Sequence, residues 1–298
     1  MPRAGLATKT YGLIDAARDT LELIQPASVR AVCYKLFVNG HIPDMSKNST
    51  NKVSRALVTA REKDWVPWEW IVDEGRSIER MPSWDDPLAF VETVRNAYRK
   101  DFWTAQSKNV VVVSEKGTIR GSIQPALDEY GVSFVALHGF SSATTFRDLA
   151  RMSAEVDRET HWLYIGDWDP SGRYMSEVDI FERLRRYGGR GYITRVAVSY
   201  QDTIDLPDDL TFRAQTKTAD SRYEWFMREV GNPCIELDAI DPRELRTRLT
   251  DAIVERIDQE LWDRAVIAQE AETKSIREFV SDWKNLFSGG PRNRSEAA

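Results

Sequence analysis

The sequence predicts an α/β protein in which a parallel sheet follows a group of helices and precedes a mostly helical C-terminal region. Between residues 108 and 200, strand-like and helix-like segments alternate, which is the pattern of a parallel sheet with helical crossovers. The run from Val110 to Val113 contains four β-branched residues, as expected of a strand buried on both faces. Before residue 76, apolar residues instead recur at helical spacing.

Composition excludes several classes of protein. The 298-residue chain carries 41 Lys+Arg and 47 Asp+Glu, a formal net charge of −6. Its two cysteines, Cys33 and Cys234, are too few for a disulfide scaffold or a cysteine-based zinc site. No apolar run reaches the ~20 residues that span a bilayer, and the first residues lack the apolar core of a signal peptide. We therefore expect a cytoplasmic protein with no membrane partner.

Residues 1–75 are predicted to form three helices followed by a β element. The first helix covers Tyr11–Ile24, and Ser28 is a suitable N-cap for the second, which ends at Asn39-Gly40. The third begins near Ser49. The stretch Trp65–Val72 is rich in strand-forming residues and is interpreted as a wing. Three helices and a wing form a winged-helix pattern, which is typical of DNA-binding domains.

The remaining segments complete the predicted organisation. Residues 76–107 are interpreted as a connector with one helix, Leu88–Phe102. The sheet region, residues 108–200, is predicted to contain strand Val110–Val113, helix Gly121–Tyr130, strand Val132–Leu137, helix Ala143–Val156, strand Trp162–Gly166, helix Ser171–Tyr187 and strand Tyr192–Val198. Residues 201–287 form a mostly helical extension, and residues 288–298 a disordered tail.

Carboxylates follow two of the predicted strands. Glu115 comes just after the first strand, and Asp167 and Asp169 follow the third. The carboxyl ends of parallel strands meet at one edge of the sheet, where ligands bind. Crowded negative charges require a cation, and hard oxygen ligands suit Mg²⁺. The sequence therefore predicts a magnesium site formed by Glu115, Asp167 and Asp169.

These residues also carry a family resemblance. The glutamate after the first strand and the Asp-x-Asp-Pro-x-Gly sequence from Asp167 to Gly172 resemble the Toprim domain of topoisomerases, primases and some nucleases. Glu115-Lys116 and Gly139-Phe140 are similar in particular to the A subunit of topoisomerase VI and the meiotic double-strand-break transesterase, in their short stand-alone bacterial or phage form. That family places a CAP-like winged helix before the Toprim domain. The resemblance implies that Asp167 and Asp169 bind Mg²⁺, and that Glu115 binds metal or acts as a general acid or base.

The same family has its catalytic tyrosine in a helix, in a pattern resembling R-[D/E]-x-[Y/F]-Y. Arg30 and Tyr34 match this pattern, whereas Ala31 and Cys33 depart from it. Tyr34 projects about 130° away from the centre of the apolar stripe of its helix, so we expect it outside that helix's main packing face. The resemblance implies that Tyr34 attacks a DNA phosphate and becomes attached to the 5′ end, while Arg30 stabilises the phosphate charge. It also implies a homodimer in which the tyrosine of one subunit works with the metal site of the other.

A basic surface is predicted on the third helix. Lys52, Arg55 and Thr59 share its polar face. From Arg30 to Lys63 the chain has seven basic and two acidic side chains, a net charge of +5, although the whole chain is negative. Phosphate contacts depend on local charge, so this segment favours binding of double-stranded DNA. We also expect Lys116, beside Glu115, to contact DNA.

Three functions remain open at this point. The first is a DNA-cleaving transesterase, which would need a separate GHKL-type ATPase subunit for strand passage because the chain has no GxxxxGK[ST] phosphate loop. The second is a Toprim nuclease that uses Mg²⁺ and water, for example in genome defence. The third is a non-catalytic DNA-binding regulator. Each would place the protein at the nucleoid. Lys217 and Arg222, which flank Asp220, are interpreted as part of a solvated loop.

Overall fold

The computed structural model describes residues 8–72, 81–137 and 143–288. The helices are α1 (Thr8–Ile24), α2 (Val29–Val38), α3 (Lys47–Glu62), α4 (Pro87–Ala97), α5 (Arg120–Tyr130), α6 (Ala143–Glu155), α7 (Pro170–Tyr174), α8 (Ile180–Arg186), α9 (Asp202–Asp205), α10 (Tyr223–Glu229), α11 (Pro242–Val254) and α12 (Gln259–Ser288). The strands are β1 (Ala27–Ser28), β2 (Ile71–Val72), β3 (Lys108–Ser114), β4 (Ser133–Ala136), β5 (Glu159–Ile165), β6 (Tyr192–Ala197), β7 (Thr211–Arg213) and β8 (Pro233–Ile235). The chain divides into two compact units, Met1–Arg76 with Lys108–Arg256, and Ser77–Ser107 with Ile257–Ala298.

The three predicted N-terminal helices are present and pack around one apolar core. Ser28 caps α2 as expected, because its side chain accepts a hydrogen bond from the backbone N–H of Ala31, at 3.1 Å. The third helix begins at Lys47, earlier than predicted, because its N-cap is Ser46 and not Ser49. The predicted apolar stripe of α3 is buried in this core: Val53, Ala56, Leu57 and Ala60.

The predicted wing has a different local structure. Trp68–Trp70 form one turn of 3₁₀-helix, and only β2 pairs as a strand, in parallel with β1. Pro67 precedes the turn; it has no N–H to donate to a sheet, which disfavours a strand at this point. Within the part of the chain that the structure describes, the stretch Trp65–Val72 is therefore a turn followed by a two-residue strand.

The α/β class predicted from the alternating pattern is confirmed. Four parallel strands lie in the order β4-β3-β5-β6. Val111 and Val113 of β3 pack with α6 and α8 in one buried cluster, whereas Val110 and Val112 are buried on the opposite face. Because β3 is covered on both sides, its unbroken β-branched run has the structure that the sequence predicts.

The second unit contains α4 and α12. The helix expected over Leu88–Phe102 ends at Ala97, and a 3₁₀ turn follows at Phe102–Ala105. Phe102 packs edge-on against Trp262 of α12, with ring centroids 4.8 Å apart. The segment predicted as a connector thus packs with the last helix, while α11 belongs to the first unit; the compact units group the chain differently from the predicted domain boundaries.

Two sequence predictions fall outside the described residues: the Gly139-Phe140 loop, and the tail after Ser288. Among the described helices, none combines the length and the apolar character needed to cross a membrane.

Asp241 links α2 to α11. Its side chain accepts a hydrogen bond from the backbone N–H of Arg243 and pairs with Lys35 Nζ, both at 2.8 Å. Burial acts to raise the pKa of Asp241, but the hydrogen bonds from Arg243 and Lys35 outweigh it and lower the pKa to about 2. The ionised carboxylate is therefore part of what stabilises the fold.

We expect Asp241→Asn to lower the free energy of unfolding by about 1–2 kcal/mol at neutral pH. The folded-state pKa lies below the ordinary value of 3.8, so the stabilisation is present above that pH and is lost as the pH falls toward about 2. An asparagine side chain can still accept the N-cap hydrogen bond from Arg243, so the variant removes only the negative charge. Urea unfolding of both proteins over a pH series should show that their difference in free energy of unfolding narrows below pH 3.8, the ordinary pKa of an aspartate. A difference that stays constant with pH would contradict an effect of the charge.

Candidate active site at the carboxyl edge of the sheet

The ends of β3 and β5 bring the three predicted carboxylates to one edge. Ser114 at the end of β3 pairs in register with Ile165 at the end of β5, so Glu115 and Asp167 leave adjacent strands at nearly the same level. Asp167 and Asp169 are buried and Glu115 is half-buried. Among the described residues, Glu115 Oε2 is buried with no hydrogen-bond partner.

The turn after β5 has the conformation that its residues favour. Asp169 is the N-cap of α7, and its Oδ1 accepts a hydrogen bond from the backbone N–H of Gly172 at 2.7 Å. Pro170 is at the first helical position, where its missing N–H costs nothing. A Cβ on Gly172 would overlap the carbonyl oxygen of Asp167, so this position requires glycine.

Two lysines neutralise the aspartates. Lys116 Nζ lies 2.7 Å from Asp167 Oδ1 and 3.3 Å from Asp238 Oδ2. Lys217 Nζ lies 2.7 Å from Asp169 Oδ2. The interpretation of Lys217 as part of a solvated loop is therefore wrong: it turns back to the buried carboxylate. Lys116, predicted to contact DNA, lies within an ion-pair cluster.

Burial sets the proton affinities at this edge. It raises the pKa of Glu115, and the negative charges of Asp167 and Asp169 raise it further. It also raises the pKa of Asp167, although the charge of Lys116 opposes the shift. Burial acts to lower the pKa of Lys217, but its hydrogen bond to Asp169 raises it overall. Glu115 thus retains a proton more readily than an ordinary glutamate, as suits a general acid.

The donor atoms at this edge are carboxylate oxygens, the type of ligand that Mg²⁺ prefers. Three carboxylates leave adjacent strands, and one of them has a buried oxygen without a partner. In the described part of the chain, no three acidic, histidine or cysteine side chains already converge at metal-ligand geometry. Lys116 and Lys217 contact the oxygens of Asp167 and Asp169, so coordination there would require both ammonium groups to move.

Arg195, on the neighbouring strand β6, contacts this edge and was not predicted from the sequence. Its guanidinium is buried and lies over the ring of Tyr164, 4.8 Å from the centroid. It donates hydrogen bonds of 2.6–3.2 Å to the carbonyl oxygens of Gly166, Asp167, Gly172 and Val198, and to the Ser176 hydroxyl. A single side chain therefore orders the backbone on both sides of the Asp-x-Asp sequence.

The segment after β8 reaches the same edge. Trp168 and Ile235 exchange two backbone hydrogen bonds of 2.9 Å, which bring the end of β8 beside the aspartates. The next residues, here called the 236–238 segment (Glu236, Leu237 and Asp238), then contact the site. The backbone N–H of Leu237 donates to Asp167 Oδ1 at 2.7 Å. On the far side, Asp238 Oδ1 accepts a hydrogen bond from Ser28 at 3.0 Å.

Arg30 and Tyr34 lie against this segment. The Tyr34 hydroxyl donates a hydrogen bond to Glu236 Oε2 at 3.2 Å, and Arg30 Nη2 forms an ion pair with the same oxygen. Tyr34 is absent from the apolar core cluster of the N-terminal helices, but the residue is only 8% exposed and lies against the 236–238 segment. Burial, reinforced by the charge of Glu236, raises the pKa of Tyr34 to about 12.

The predicted DNA-binding residues lie on one face of α3. Lys52 and Arg55 are exposed, and Thr59 is half-buried. They line a groove of about 400 Å³ together with Thr10 and Leu13 of α1. Elsewhere in the basic segment, Arg30 pairs with Glu236 and Lys35 pairs with Asp241. Lys52 and Arg55 in the groove are therefore more accessible to a phosphate than Arg30 and Lys35 are.

In comparisons with known proteins, no protein-family model matches the sequence, and no curated protein matches it significantly.

Proposed function

We propose that this protein cleaves double-stranded DNA by tyrosine transesterification, with a Toprim-like sheet and a CAP-like winged helix, in the manner of the topoisomerase VI A subunit. One observation carries the proposal. Tyr34 contacts Glu236, and the adjoining Leu237 contacts Asp167. The candidate nucleophile and the candidate metal-binding edge thus belong to one connected set of contacts, although they come from distant parts of the sequence.

Each candidate residue would have one role in the reaction. The Tyr34 phenol would lose its proton to water, and its oxygen would form a bond to phosphorus while the bond from phosphorus to the 3′ oxygen breaks, leaving a 5′-phosphotyrosyl end and a 3′-hydroxyl. Glu115, with its raised pKa, would supply the proton to the departing oxygen. Arg30 would stabilise charge on the phosphate. Mg²⁺ bound by Asp167 and Asp169 would polarise that phosphate.

A double-strand break requires two such reactions, one on each strand. We therefore include a homodimer in the proposal, and a separate GHKL-type ATPase subunit only if strands are also passed. Within one chain, Tyr34 contacts Glu236 of the 236–238 segment, and Leu237 of the same segment contacts Asp167.

The deciding experiment incubates the protein with supercoiled plasmid and Mg²⁺, denatures it with detergent and compares the DNA with and without protease. We expect linear DNA with protein attached to its 5′ ends, and loss of both products in Tyr34→Phe. Tyr192→Phe is the matched control, because Tyr192 is exposed at the opposite end of the sheet, at the start of β6. Protein-free ends from the wild-type protein would contradict the proposal.

The second candidate is a metal-dependent nuclease that uses water. It is favoured by the contact between Tyr34 and Glu236, because a buried phenol with a pKa of about 12 is neutral at physiological pH. This candidate would be supported if Tyr34→Phe cut the plasmid at the wild-type rate and no protease-sensitive ends appeared.

The groove on α3 leads to a separate prediction about DNA affinity. We expect Arg55→Ala to weaken binding of duplex DNA equally for all sequences and to reduce the slope of log affinity against log salt by about one. Fluorescence anisotropy with a short labelled duplex measures both quantities. Arg151→Ala is the control, since Arg151 is an exposed arginine on α6. Equal effects of the two variants would show that the α3 groove is not the DNA-binding face.

A further inference from the structure

One oxygen atom, Glu236 Oε2, accepts contacts from both Arg30 and Tyr34. In the proposed reaction these are the two residues that act on the DNA phosphate. The side chain of Glu236 is 25% exposed, whereas the neighbouring Leu237 is buried. The Glu236 side chain thus reaches solvent, while Leu237 anchors the segment through its hydrogen bond to Asp167.

We propose that Glu236 is an autoinhibitory residue whose carboxylate occupies the position of a DNA phosphate, and that its side chain must rotate away before DNA is cleaved. This inference rests on the proposed function, because it assigns Arg30 and Tyr34 to the phosphate.

The chemistry of the two acceptors supports this assignment. Carboxylate and phosphate oxygens are both anionic acceptors that pair with arginine. A phosphate placed beside Glu236 would be repelled by its charge, so the two anions exclude each other at Arg30. With Glu236 in place, Tyr34 is only 8% exposed and its hydroxyl is hydrogen-bonded to the Glu236 carboxylate.

A general-base role for Glu236 is the opposite interpretation of the same contact, and two observations disfavour it. The oxygen that would accept the phenol proton is already held in an ion pair with Arg30. The charge of Glu236 also adds to burial in raising the pKa of Tyr34, so this arrangement stabilises the neutral phenol. The contact therefore restrains the nucleophile.

The test compares the wild-type chain with Glu236→Gln and Glu236→Ala. The matched control is Glu224→Gln, an exposed glutamate on α10. Circular dichroism and thermal unfolding establish that all variants are folded. Three quantities are then measured: the salt dependence of duplex DNA binding, the rate of Tyr34 nitration by tetranitromethane followed by peptide mass spectrometry, and the yield of protein–DNA adduct.

We expect the released Arg30 to add one phosphate contact, which makes the slope of log affinity against log salt steeper by about one in both Glu236 variants. Adding Arg30→Ala should restore the wild-type slope. Nitration of Tyr34 should be about tenfold faster in Glu236→Ala, the factor that follows loss of a hydrogen bond to a charged group. Adduct yield should rise in both variants, with no change in Glu224→Gln.

Two results would overturn the inference. An unchanged salt slope and nitration rate would show that Glu236 does not restrain Arg30 or Tyr34. Loss of adduct in folded Glu236→Gln would instead assign Glu236 to proton transfer. Failure of the proposed function gives a different result: no variant forms an adduct, while the slope and the nitration rate still increase, which leaves the restraint supported.

Discussion

Replacing Asp167 by asparagine is expected to reduce DNA cleavage by at least about 100-fold, the usual loss when one electrostatic stabiliser of a transition state is removed. Asp167 is buried beside Lys116, at the edge where Glu115 and Asp169 also lie. An asparagine oxygen can still accept the hydrogen bond from the backbone N–H of Leu237, so the 236–238 segment keeps its anchor. The variant therefore removes the charge with little change of shape.

The measurement is the initial rate of plasmid cleavage at saturating Mg²⁺, with DNA affinity recorded in parallel. Asp205→Asn is the control, because Asp205 is an exposed aspartate on the short helix α9. We expect a lower rate and nearly unchanged affinity for Asp167→Asn. Full activity in this variant, together with loss of binding in Arg55→Ala, would instead support the non-catalytic DNA-binding regulator.

Replacing Arg195 by alanine is expected to have the largest effect on stability, a loss of about 3–5 kcal/mol. Burial lowers the pKa of this guanidinium, and its hydrogen bonds to several carbonyl oxygens offset the free-energy cost of burying its charge. Without it, the carbonyl oxygens of Gly166, Asp167 and Gly172 would be left without this donor in a low-dielectric setting. Since these carbonyls flank the Asp-x-Asp sequence, cleavage should fall together with stability.

Urea unfolding followed by circular dichroism measures this loss, with the exposed Arg151→Ala as the control. Arg195→Lys should recover only a small part of the stability, because an ammonium group cannot reproduce the planar set of donors that reaches both Asp167 and Gly172. Full recovery in the lysine variant would show that charge alone, and not the geometry of the guanidinium, stabilises this edge.

The placement of the three acids could be predicted because it depends on local rules. A β-branched run predicts a buried strand, and a parallel sheet brings the ends of such strands to one edge. Glu115 and Asp167 follow strands that pair in register. The cap of α2 at Ser28 was predictable for the same reason, since a serine hydroxyl satisfies a backbone N–H within three residues.

Other features depended on competition between neighbours or on distant contacts. Ser46 and Ser49 could each cap a helix; in the structure Ser46 is the N-cap, and its side chain accepts a hydrogen bond from the backbone N–H of Ser49. The ion pair of Lys116 with Asp238 joins residues 122 positions apart, so nothing near Lys116 in the sequence indicates it. Glu236 contacts Tyr34, which lies 202 positions earlier in the sequence. The residues around Glu236 do not indicate that partner, because a glutamate after a short apolar run has no characteristic pattern.

The amino-acid order thus suffices for the α/β class, the buried central strand, and the edge where Glu115, Asp167 and Asp169 lie. It does not suffice for the partners of those acids or for the restraint on Tyr34. Strand formation and the direction of a strand's end depend on residues a few positions apart, whose spacing is visible in the sequence. The ion pairs of Lys116 and Lys217 with the aspartates, and the contact of Glu236 with Tyr34, join residues 51, 48 and 202 positions apart, which only the packing of distant segments brings together.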